Sequence, residues 1–269
     1  MTSLSAPMTP QALLDHLDQG RLWPQPCGLS LDTAYARALE VRAMRIQRGD
    51  LPKGYKVGFT NRTIWPRYNV HAPIWGSVWD STLTLCEGEG AVSLAHVCQP
   101  RLEPEVVFGM KATPAANATL DTLFHAIDWV APGFEVVQSH LPDWKFEAAD
   151  TVADGGLHAH LLVGQRKPLH EIADSAATLD NLLANARVSL EKNNQPVEEG
   201  QGANVLDSPL RALLYFTQTL RACPGAPDLQ AGDVITTGTW TDAWPVLRGE
   251  QWTARFSAPL GNLSLHFTA

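Results

Sequence analysis

The feature that most constrains the fold is the pattern of the chain from Tyr55 onward, where short runs of β-forming residues are separated by glycine and proline. Each run has the length of one strand, and the runs do not alternate regularly with helical segments. A doubly wound nucleotide-binding sheet needs that alternation and is disfavoured. The runs that we interpret as strands are YKVGF, SVWDSTLTL, EVVFGM, FEVVQS, HAHLLVG, ARVSLEKNN, DVITTG, WTARFSA and NLSLHFT.

Helical patterns precede and interrupt these strands. Thr9 and Pro10 form a start signal for a first helix, and Ser30 or Asp32 caps a second. Two later segments have the periodicity of amphipathic helices that pack on a sheet. They are TLDTLFHAIDWV and SPLRALLYFTQTL.

The chain has 269 residues, of which 45% are hydrophobic and 18% are charged, so it can bury a sizeable core. This length fits one globular domain with a helical appendage. We therefore predict an α+β protein in two parts. Residues 1–53 form an N-terminal helical segment, and residues 54–269 form a β-rich domain.

The charge balance excludes some classes of partner. The sequence has 20 basic and 28 acidic residues and a net charge of -8, so no basic field is available for nucleic acid or an anionic membrane. The four cysteines show no CxxC spacing and are interpreted as free thiols. The first twenty residues lack the basic and apolar regions of a signal peptide. We expect a cytoplasmic protein that binds neither nucleic acid nor a membrane.

The most informative segment for function is QPRLEPEVVFGM, which contains Glu103 and Glu105. Side chains at i and i+2 of a strand point to the same face, so the two carboxylates would lie side by side. Such like charges are costly when buried, and a hard divalent cation such as Mg²⁺ or Mn²⁺ removes that cost. The alternative is an exposed strand edge whose glutamates face water.

Glu135 is a third acidic residue, inside the apolar run GFEVV. Three carboxylates from two strands would fill half of an octahedral shell and leave room for water and a bidentate ligand. An α-keto acid is such a ligand, because it chelates through its carboxylate and its 2-oxygen. Alternatively, Glu135 lies at the edge of its strand or pairs with an arginine.

Lys56 and Asp80 are candidates for proton transfer. Lys56 lies between Tyr55 and Val57, and burial there would lower the pKa of its amine and make it a proton carrier or an oxyanion clamp. Asp80 lies among tryptophans, where its pKa could rise enough for general acid–base catalysis. The competing interpretations are a surface lysine and an aspartate that caps a turn.

Six segments occur in the order seen in one enzyme family. From about residue 30 to its end, the chain resembles the 2-keto-4-pentenoate hydratase / 4-oxalocrotonate decarboxylase family, a branch of the fumarylacetoacetase-like superfamily. The resemblance implies a mixed β-roll core preceded by N-terminal helices. The segments that carry it are GYKVGFT, QPRLEPEVVFGM, PGFEVVQSHLPDW, DTVADGGLHAHLLVG, GQG followed by SPL, and AGDVITTG.

The resemblance also implies functional residues. Mg²⁺ or Mn²⁺ would be bound by the residues that match the family's carboxylates, Glu103, Glu105 and Glu135. Lys56 and Asp80 would act at the reacting carbons. Family members are typically homo-oligomers of meta-cleavage pathways for aromatic catabolism, so we expect a homo-oligomer. The residues that we expect to bind the substrate are Val70, Leu157, His158, Thr237 and Trp240.

Two segments depart from the family pattern. Family members usually follow DTVAD with an Asn-Ala-Ser-Ser/Cys-Gly run, whereas this chain has GGLHA, so a small hydroxyl is lost. His158 could replace that hydroxyl as a hydrogen-bond donor, or simply lie on the polar face of its strand. The second departure is TGTWTDAWPV, a tryptophan-rich loop. With Trp65, Trp75 and Trp79 it could form the floor of a pocket for a larger or flatter substrate, or serve as core and oligomer contacts.

These features favour a lyase that acts on a 2-hydroxy-2,4-dienoate or its 2-keto tautomer. A hydratase would add water at C4 and give a 4-hydroxy-2-keto acid, and a 4-oxalocrotonate-type decarboxylase would use the same electron sink at C2. An acylpyruvate hydrolase or oxaloacetate decarboxylase stays open, although no His–Glu pair is evident near Lys56 in the sequence. A catalytically impaired oligomer partner stays open because of the altered DGGLHA segment.

Overall fold

The computed structural model of the chain describes residues 6–68 and 72–269. Over these residues it is a two-sheet α+β structure, which confirms the fold class predicted from the sequence. The helices are α1 Pro10–Gln19, α2 Leu31–Gln47, α3 Trp65–Tyr68, α4 Leu120–Phe124, α5 Ala148–Ala153, α6 Leu169–Ile172, α7 Ala176–Asn185 and α8 Pro209–Ala222.

The strands follow the glycine and proline punctuation of the sequence. They are β1 Pro52–Gly58, β2 Ile74–Trp79, β3 Leu83–Leu85, β4 Glu89–Ser93, β5 Arg101–Met110, β6 Ile127–Val137, β7 His158–Val163, β8 Lys167–Pro168, β9 Arg187–Lys192, β10 Gln195–Gln201, β11 Val234–Thr236, β12 Trp244–Pro245, β13 Gln251–Phe256 and β14 Asn262–Thr268.

The larger sheet has the order β2-β1-β11-β5-β6-β7-β3, with β12 and β8 added beside β5 and β6. It is mixed, because β1 pairs with β11 and β3 with β7 in parallel, while β5 and β6 form a long antiparallel pair. The smaller sheet has the order β10-β9-β13-β14-β4. One apolar core joins both sheets and the buried faces of α7 and α8. The strands β5 and β6 therefore lie in the middle of the molecule.

The N-terminal helices begin where the sequence predicts. The hydroxyl of Thr9 accepts the amide of Ala12 at 3.2 Å, and that of Ser30 accepts the amide of Thr33 at 3.3 Å. Both helices bury apolar side chains in a second cluster that also contains residues of α5. The boundary at residue 53 stays a prediction. Within the described residues, no helix is long and apolar enough to cross a bilayer.

The interpretation of TLDTLFHAIDWV as one helix is wrong. The helix α4 ends at Phe124, and the chain is already in β6 at Ile127. The register of β6 against β5 pairs Trp129 with Gly109 and Val130 with Phe108. Strand pairing in the buried sheet centre therefore outweighs the amphipathic period of this segment. In contrast, the helix predicted over SPLRALLYFTQTL is confirmed by α8.

A buried ion pair links the end of β6 to the end of α5. The Nδ1 atom of His140 lies 2.6 Å from one carboxylate oxygen of Asp154, and the other oxygen accepts the His140 amide at 2.9 Å. Burial alone would lower the pKa of His140, but the charge and hydrogen bond of Asp154 outweigh it and raise the pKa to about 10. The charged pair therefore fixes the start of the Gly155–His158 segment, which the site uses.

We expect Asp154→Asn to lower the free energy of unfolding at pH 7 by about 3 kcal/mol, because it removes the charge that stabilises the buried His140 cation. Chemical denaturation measures this change. The matched control is Asp143→Asn, since Asp143 is an exposed carboxylate in the preceding segment, and we expect it to change stability by less than about 0.5 kcal/mol. Equal effects of the two variants would contradict a structural role for the pair.

Candidate metal and active site

Three carboxylates meet at the centre of the larger sheet. The antiparallel register of β5 and β6 places Glu103 directly opposite Glu135, and Glu105 follows on the same face of β5. Oxygen atoms from the three side chains lie within 4.8 Å of one another. Glu105 and Glu135 are fully buried, while Glu103 keeps partial exposure. The structure therefore brings together the residues predicted as metal ligands.

The loop after β11 holds Glu105 in place. One of its oxygens, Oε2, accepts the amide of Gly238 at 2.6 Å and the hydroxyl of Thr236. Gly238 has a φ of 106°, and a Cβ there would overlap the hydroxyl of Thr60. This position therefore needs glycine for the amide to reach the carboxylate. The other oxygen, Oε1, is buried and has no hydrogen-bond donor among the described residues.

Lys56 is the cation of the cluster. Its Nζ atom lies 3.2 Å from Oε2 of Glu135 and donates a hydrogen bond to the carbonyl of Gly156 at 2.8 Å. The register of β1 against β2 pairs Lys56 with Gly76, and a Cβ on Gly76 would overlap the carbonyl of Gly155. The absence of that side chain lets the Gly155–Gly156 backbone lie over the hairpin and reach the ammonium group.

Burial and mutual repulsion shift the pKa values of the whole cluster. Burial raises the pKa of Glu103 to about 8 and that of Glu135 to about 7, against the lowering effect of Lys56. Burial and the neighbouring Glu135 raise the pKa of Glu105 well above its usual range. Burial also acts to lower the pKa of Lys56, but the three glutamates outweigh it, and the net shift is upward. The lowered pKa predicted for Lys56 is therefore wrong.

The cluster has the composition of a divalent cation site. With all three carboxylates ionised, the cluster and its one ammonium group would carry two excess negative charges in a buried region, and the raised pKa values of the glutamates reflect the cost of that excess. The Oε1 atom of Glu105 is buried among these charges, and no described residue donates a hydrogen bond to it. Hard divalent cations prefer carboxylate oxygens and would neutralise two charges. The residues present thus fit a bound Mg²⁺ or Mn²⁺, with Glu103, Glu105 and Glu135 as its ligands.

His158 contacts the cluster through Glu135. Its Nδ1–H donates to Oε1 of Glu135 at 2.9 Å, and its Nε2 lies 2.8 Å from the hydroxyl of Thr82. Burial and the charge of Lys56 lower the pKa of His158 well below its usual range, so the ring is neutral. A His–Glu pair therefore lies beside Lys56, contrary to what the sequence indicated. Both ring nitrogens of His158 have hydrogen-bond partners, in Glu135 and Thr82.

A cavity opens beside Lys56 and Glu103, with about 540 Å³ of empty space that includes its opening to solvent, and we refer to it as the reaction cavity. A larger cavity of about 1040 Å³ borders the same glycine-rich segment and contacts His158, but it contacts none of the three glutamates. We therefore assign the chemistry to the smaller one. Its lining residues are Lys56, Gly58, Phe59, Thr60, Asn61, Ile74, Glu103, Val137, Trp144, Phe146, Gly156, Leu157, Thr239, Asp242 and Ala243.

Of the residues predicted to contact the substrate, Leu157 lines the reaction cavity. Trp240 is fully buried, with its ring 5.2 Å from that of Phe256, and lies in the core. Thr237 is also fully buried, and its hydroxyl donates to the carbonyl of Val106 at 3.3 Å. Val70 lies outside the described residues. Contacts of these residues, and of His158, with a substrate stay predictions.

Asp80 is not brought to the cluster. It is exposed, and its carboxylate accepts the amide of Leu51 at 3.0 Å, near the end of the β1–β2 hairpin. It lies four residues beyond Gly76, the partner of Lys56, and does not line the reaction cavity. Its role in proton transfer stays a prediction that its position does not support.

Sequence reasoning missed much of the cavity wall. Phe59, Trp144 and Phe146 line it, as does the acidic residue Asp242. Phe59 and Trp144 belong to the segments GYKVGFT and PGFEVVQSHLPDW, which we interpreted only as family motifs, and Phe146 lies two residues beyond the second segment. Among the described residues, the tryptophans proposed as a pocket floor do not line the reaction cavity. Trp75 and Trp79 line the larger cavity instead, where the ring of Trp75 lies 4.9 Å from that of Tyr35.

Known proteins share this sequence pattern. The family model described as Fumarylacetoacetate (FAA) hydrolase C-terminal matches residues 57–264. The 2-hydroxyhexa-2,4-dienoate hydratase of Comamonas testosteroni is 32% identical over 243 residues, which cover 89% of this chain and 87% of that enzyme. A 4-oxalocrotonate decarboxylase of a Pseudomonas species is 32% identical over 202 residues, which cover 75% of this chain and 73% of that enzyme.

A solved structure shares the fold. The 4-oxalocrotonate decarboxylase from Pseudomonas putida G7, complexed with magnesium and adipate, superposes with a TM-score of 0.82 and 27% identity. The match covers 96% of this chain and 97% of that one, which confirms the fumarylacetoacetase-like fold. The chain therefore belongs to the fumarylacetoacetate hydrolase family, as the matched residues 57–264 and its hydratase and decarboxylase relatives show.

Proposed function

We propose that the protein is a metal-dependent hydro-lyase that adds water to a 2-hydroxy-2,4-dienoate and forms a 4-hydroxy-2-keto acid in aromatic meta-cleavage catabolism. The observation that carries the proposal is the cluster of Glu103, Glu105, Glu135 and Lys56, of which Lys56 and Glu103 line the reaction cavity. The 32% identity with a 2-hydroxyhexa-2,4-dienoate hydratase over most of both chains supports it.

The cofactor of the proposed reaction is a divalent metal ion, and we propose Mg²⁺ or Mn²⁺. When bound, the ion supplies Lewis-acid stabilisation of negative charge on the substrate's oxygen atoms. The magnesium complex of the decarboxylase relative supports Mg²⁺. The chain's own part is to hold three carboxylates on two adjacent strands, with Gly238 and His158 fixing two of them through hydrogen bonds.

Lys56 is the residue that moves the proton. In hydration, the dienol gives up its hydroxyl proton and gains a proton at C5, and water then adds its oxygen at C4 and a proton at C3. The ammonium group of Lys56 is buried at the cavity wall, and the raised pKa keeps on it a proton that it can donate to a substrate in the cavity. Asn61 lines the same cavity and offers its side-chain amide to the substrate's carboxylate, whereas the hydroxyls of Thr60 and Thr239 already donate to the carbonyls of Thr237 and Thr241.

A second function, decarboxylation of a 4-oxalocrotonate-type 2-keto acid, is favoured by the decarboxylase relatives in sequence and structure. Both reactions need negative charge to be stabilised at the C2 oxygen, so the three glutamates do not distinguish hydration from decarboxylation. The homo-oligomeric state and the cytoplasmic location expected from the sequence stay predictions.

The first test concerns the metal. We expect the pair of substitutions Glu103→Ala and Glu135→Ala to abolish Mg²⁺ binding measured by calorimetry, because only one of the three carboxylates remains. The matched control is Glu199→Ala on β10, which removes an exposed carboxylate and should leave the affinity unchanged. Binding that survives in the double variant, with the fold intact by circular dichroism, would place the metal elsewhere.

The second test concerns pH. Because the pKa values of Glu103 and Glu135 are raised, to about 8 and about 7, the folded protein binds their protons more tightly than the unfolded chain. That stabilisation is complete below pH ~4.5 and is lost as pH rises through 7 and 8. We expect the stabilisation given by saturating Mg²⁺ to grow between pH 6 and pH 9, measured by thermal unfolding. A constant or shrinking effect of the ion would contradict the buried carboxylate cluster.

The third test concerns turnover. We expect the Mg²⁺-loaded protein to consume 2-hydroxypenta-2,4-dienoate, seen as loss of dienol absorbance, and Lys56→Met to lower kcat by about 10²-fold or more. Lys53→Met is the control, since Lys53 lies on the same strand outside the cavity wall. Release of CO₂ from 4-oxalocrotonate without dienoate hydration would favour the decarboxylase. Activity on neither compound would favour the impaired partner.

A further inference from the structure

We propose that the larger cavity is a second binding site, separate from the reaction cavity, for a small organic anion with a flat apolar body, such as an arene carboxylate. The site lies between the N-terminal helices and the larger sheet. The proposal does not depend on hydratase activity, because none of the three glutamates lines this cavity. It is carried by the size of the cavity, by its arginines and by its tryptophans.

The larger cavity is too large for a packing defect. It has about 1040 Å³ of empty space, which includes its opening to solvent, and residues of α1, α2, β2 and β7 line it. Protein interiors contain few voids larger than a water molecule, whereas pockets for small ligands have volumes of about 300–1,000 Å³. A Cβ built on Gly155, which lines the cavity, would meet no atom within 4 Å. The wall there faces open space of the size that a small organic ligand needs.

One face of α2 brings two arginines to this wall. Ala38, Arg42 and Arg45 follow one another at about one turn of the helix, and all three line the cavity. The Nε atom of Arg45 lies 2.7 Å from the carboxylate of Asp50, so this arginine has a counter-charge. Arg42, in contrast, forms no ion pair within the described part of the chain, and its Nε atom has no hydrogen-bond acceptor there. Its guanidinium group is therefore available to an anionic ligand.

Other ionisable groups near the wall do not remove this positive charge. Asp18 lines the cavity, but the guanidinium group of Arg48 donates to its carboxylate at 3.0 Å. Asp233 and Arg42 attract each other, but Asp233 does not line the cavity. Burial lowers the pKa of His160 to about 4, so its ring is neutral at pH 7 and offers a polar group without a charge. In a chain with a net charge of -8, such a positive wall favours an anion at this place.

Two tryptophans of β2, Trp75 and Trp79, supply a flat apolar surface. The ring of Trp75 lies 5.8 Å from that of Tyr55 at an angle of 81°, and the guanidinium carbon of Arg45 lies 4.2 Å from the centre of the Trp79 ring. Rings that are fixed by such contacts lose little entropy when a ligand binds. The wall thus offers apolar contact to an aromatic ring and a charge-assisted hydrogen bond to its carboxylate.

Equilibrium binding to the Mg²⁺-loaded protein tests this site. The probes are benzoate and benzamide, which share the same ring and nearly the same shape but differ in charge. We expect benzoate to bind at least about tenfold more tightly than benzamide in calorimetry, because only benzoate brings a negative charge to the arginine. Equal affinities of the two probes, or no binding of benzoate at millimolar concentration, would overturn the proposal.

Variants that fold normally by circular dichroism locate the bound benzoate. We expect Arg42→Gln to weaken benzoate by about tenfold or more, and Ala38→Phe to abolish its binding because the new ring occupies the cavity. The matched control is Arg37→Gln, which removes the same charge from the same helix outside the cavity wall and should leave the affinity unchanged. Unchanged affinity in Arg42→Gln or in Ala38→Phe would overturn the proposal. Loss of benzoate binding in the double variant of Glu103 and Glu135 would place the probe at the metal and would also overturn it.

Discussion

The interaction on which the rest of the structure depends is the repulsion among Glu103, Glu105 and Glu135, which Lys56 offsets only in part. Glu105 and Glu135 are fully buried, Glu103 faces the reaction cavity, and Lys56 is nearly inaccessible to solvent. Such an excess of charge costs stability unless a cation fills it. The cluster lies at the centre of the fold, where solvent screens its charges least. The charges therefore act most strongly there on a bound ligand.

The sheet makes that arrangement possible. The antiparallel pairing of β5 with β6 sets Glu103 against Glu135, and the neighbouring strands bring the loop of Gly238 and the ammonium of Lys56 to the same place. Glycine allows the closest approaches, since a Cβ on Gly76 or Gly238 would overlap the backbone or side chain opposite. The His140–Asp154 pair then fixes the segment whose Gly156 carbonyl binds Lys56. Electrostatics and close packing thus act on the same residues.

The strand pattern of the sequence was enough to predict the α+β class, and the i, i+2 spacing of Glu103 and Glu105 was enough to predict a shared face. The pairing with Glu135 could not be derived from spacing, because register depends on the whole sheet. The upward pKa shift of Lys56 has the same origin, since the glutamates that raise it come from other strands. Asp80 was chosen because tryptophans flank it in the sequence. In the structure its exposed carboxylate accepts the amide of Leu51 and does not reach the glutamate cluster. Trp144 and Phe146 reach the cavity through a loop that has no periodic signal.

The most direct measurement of the central claim is a crystal structure of the protein grown with Mn²⁺, with anomalous diffraction data collected near the manganese edge. We expect one strong anomalous peak within about 2.0–2.4 Å of oxygen atoms from Glu103, Glu105 and Glu135. Substitution of Mg²⁺ for Mn²⁺ in a second crystal should keep the same ligands and remove the anomalous signal. A manganese peak bound by other residues, or no peak at this cluster at saturating Mn²⁺, would contradict the claim.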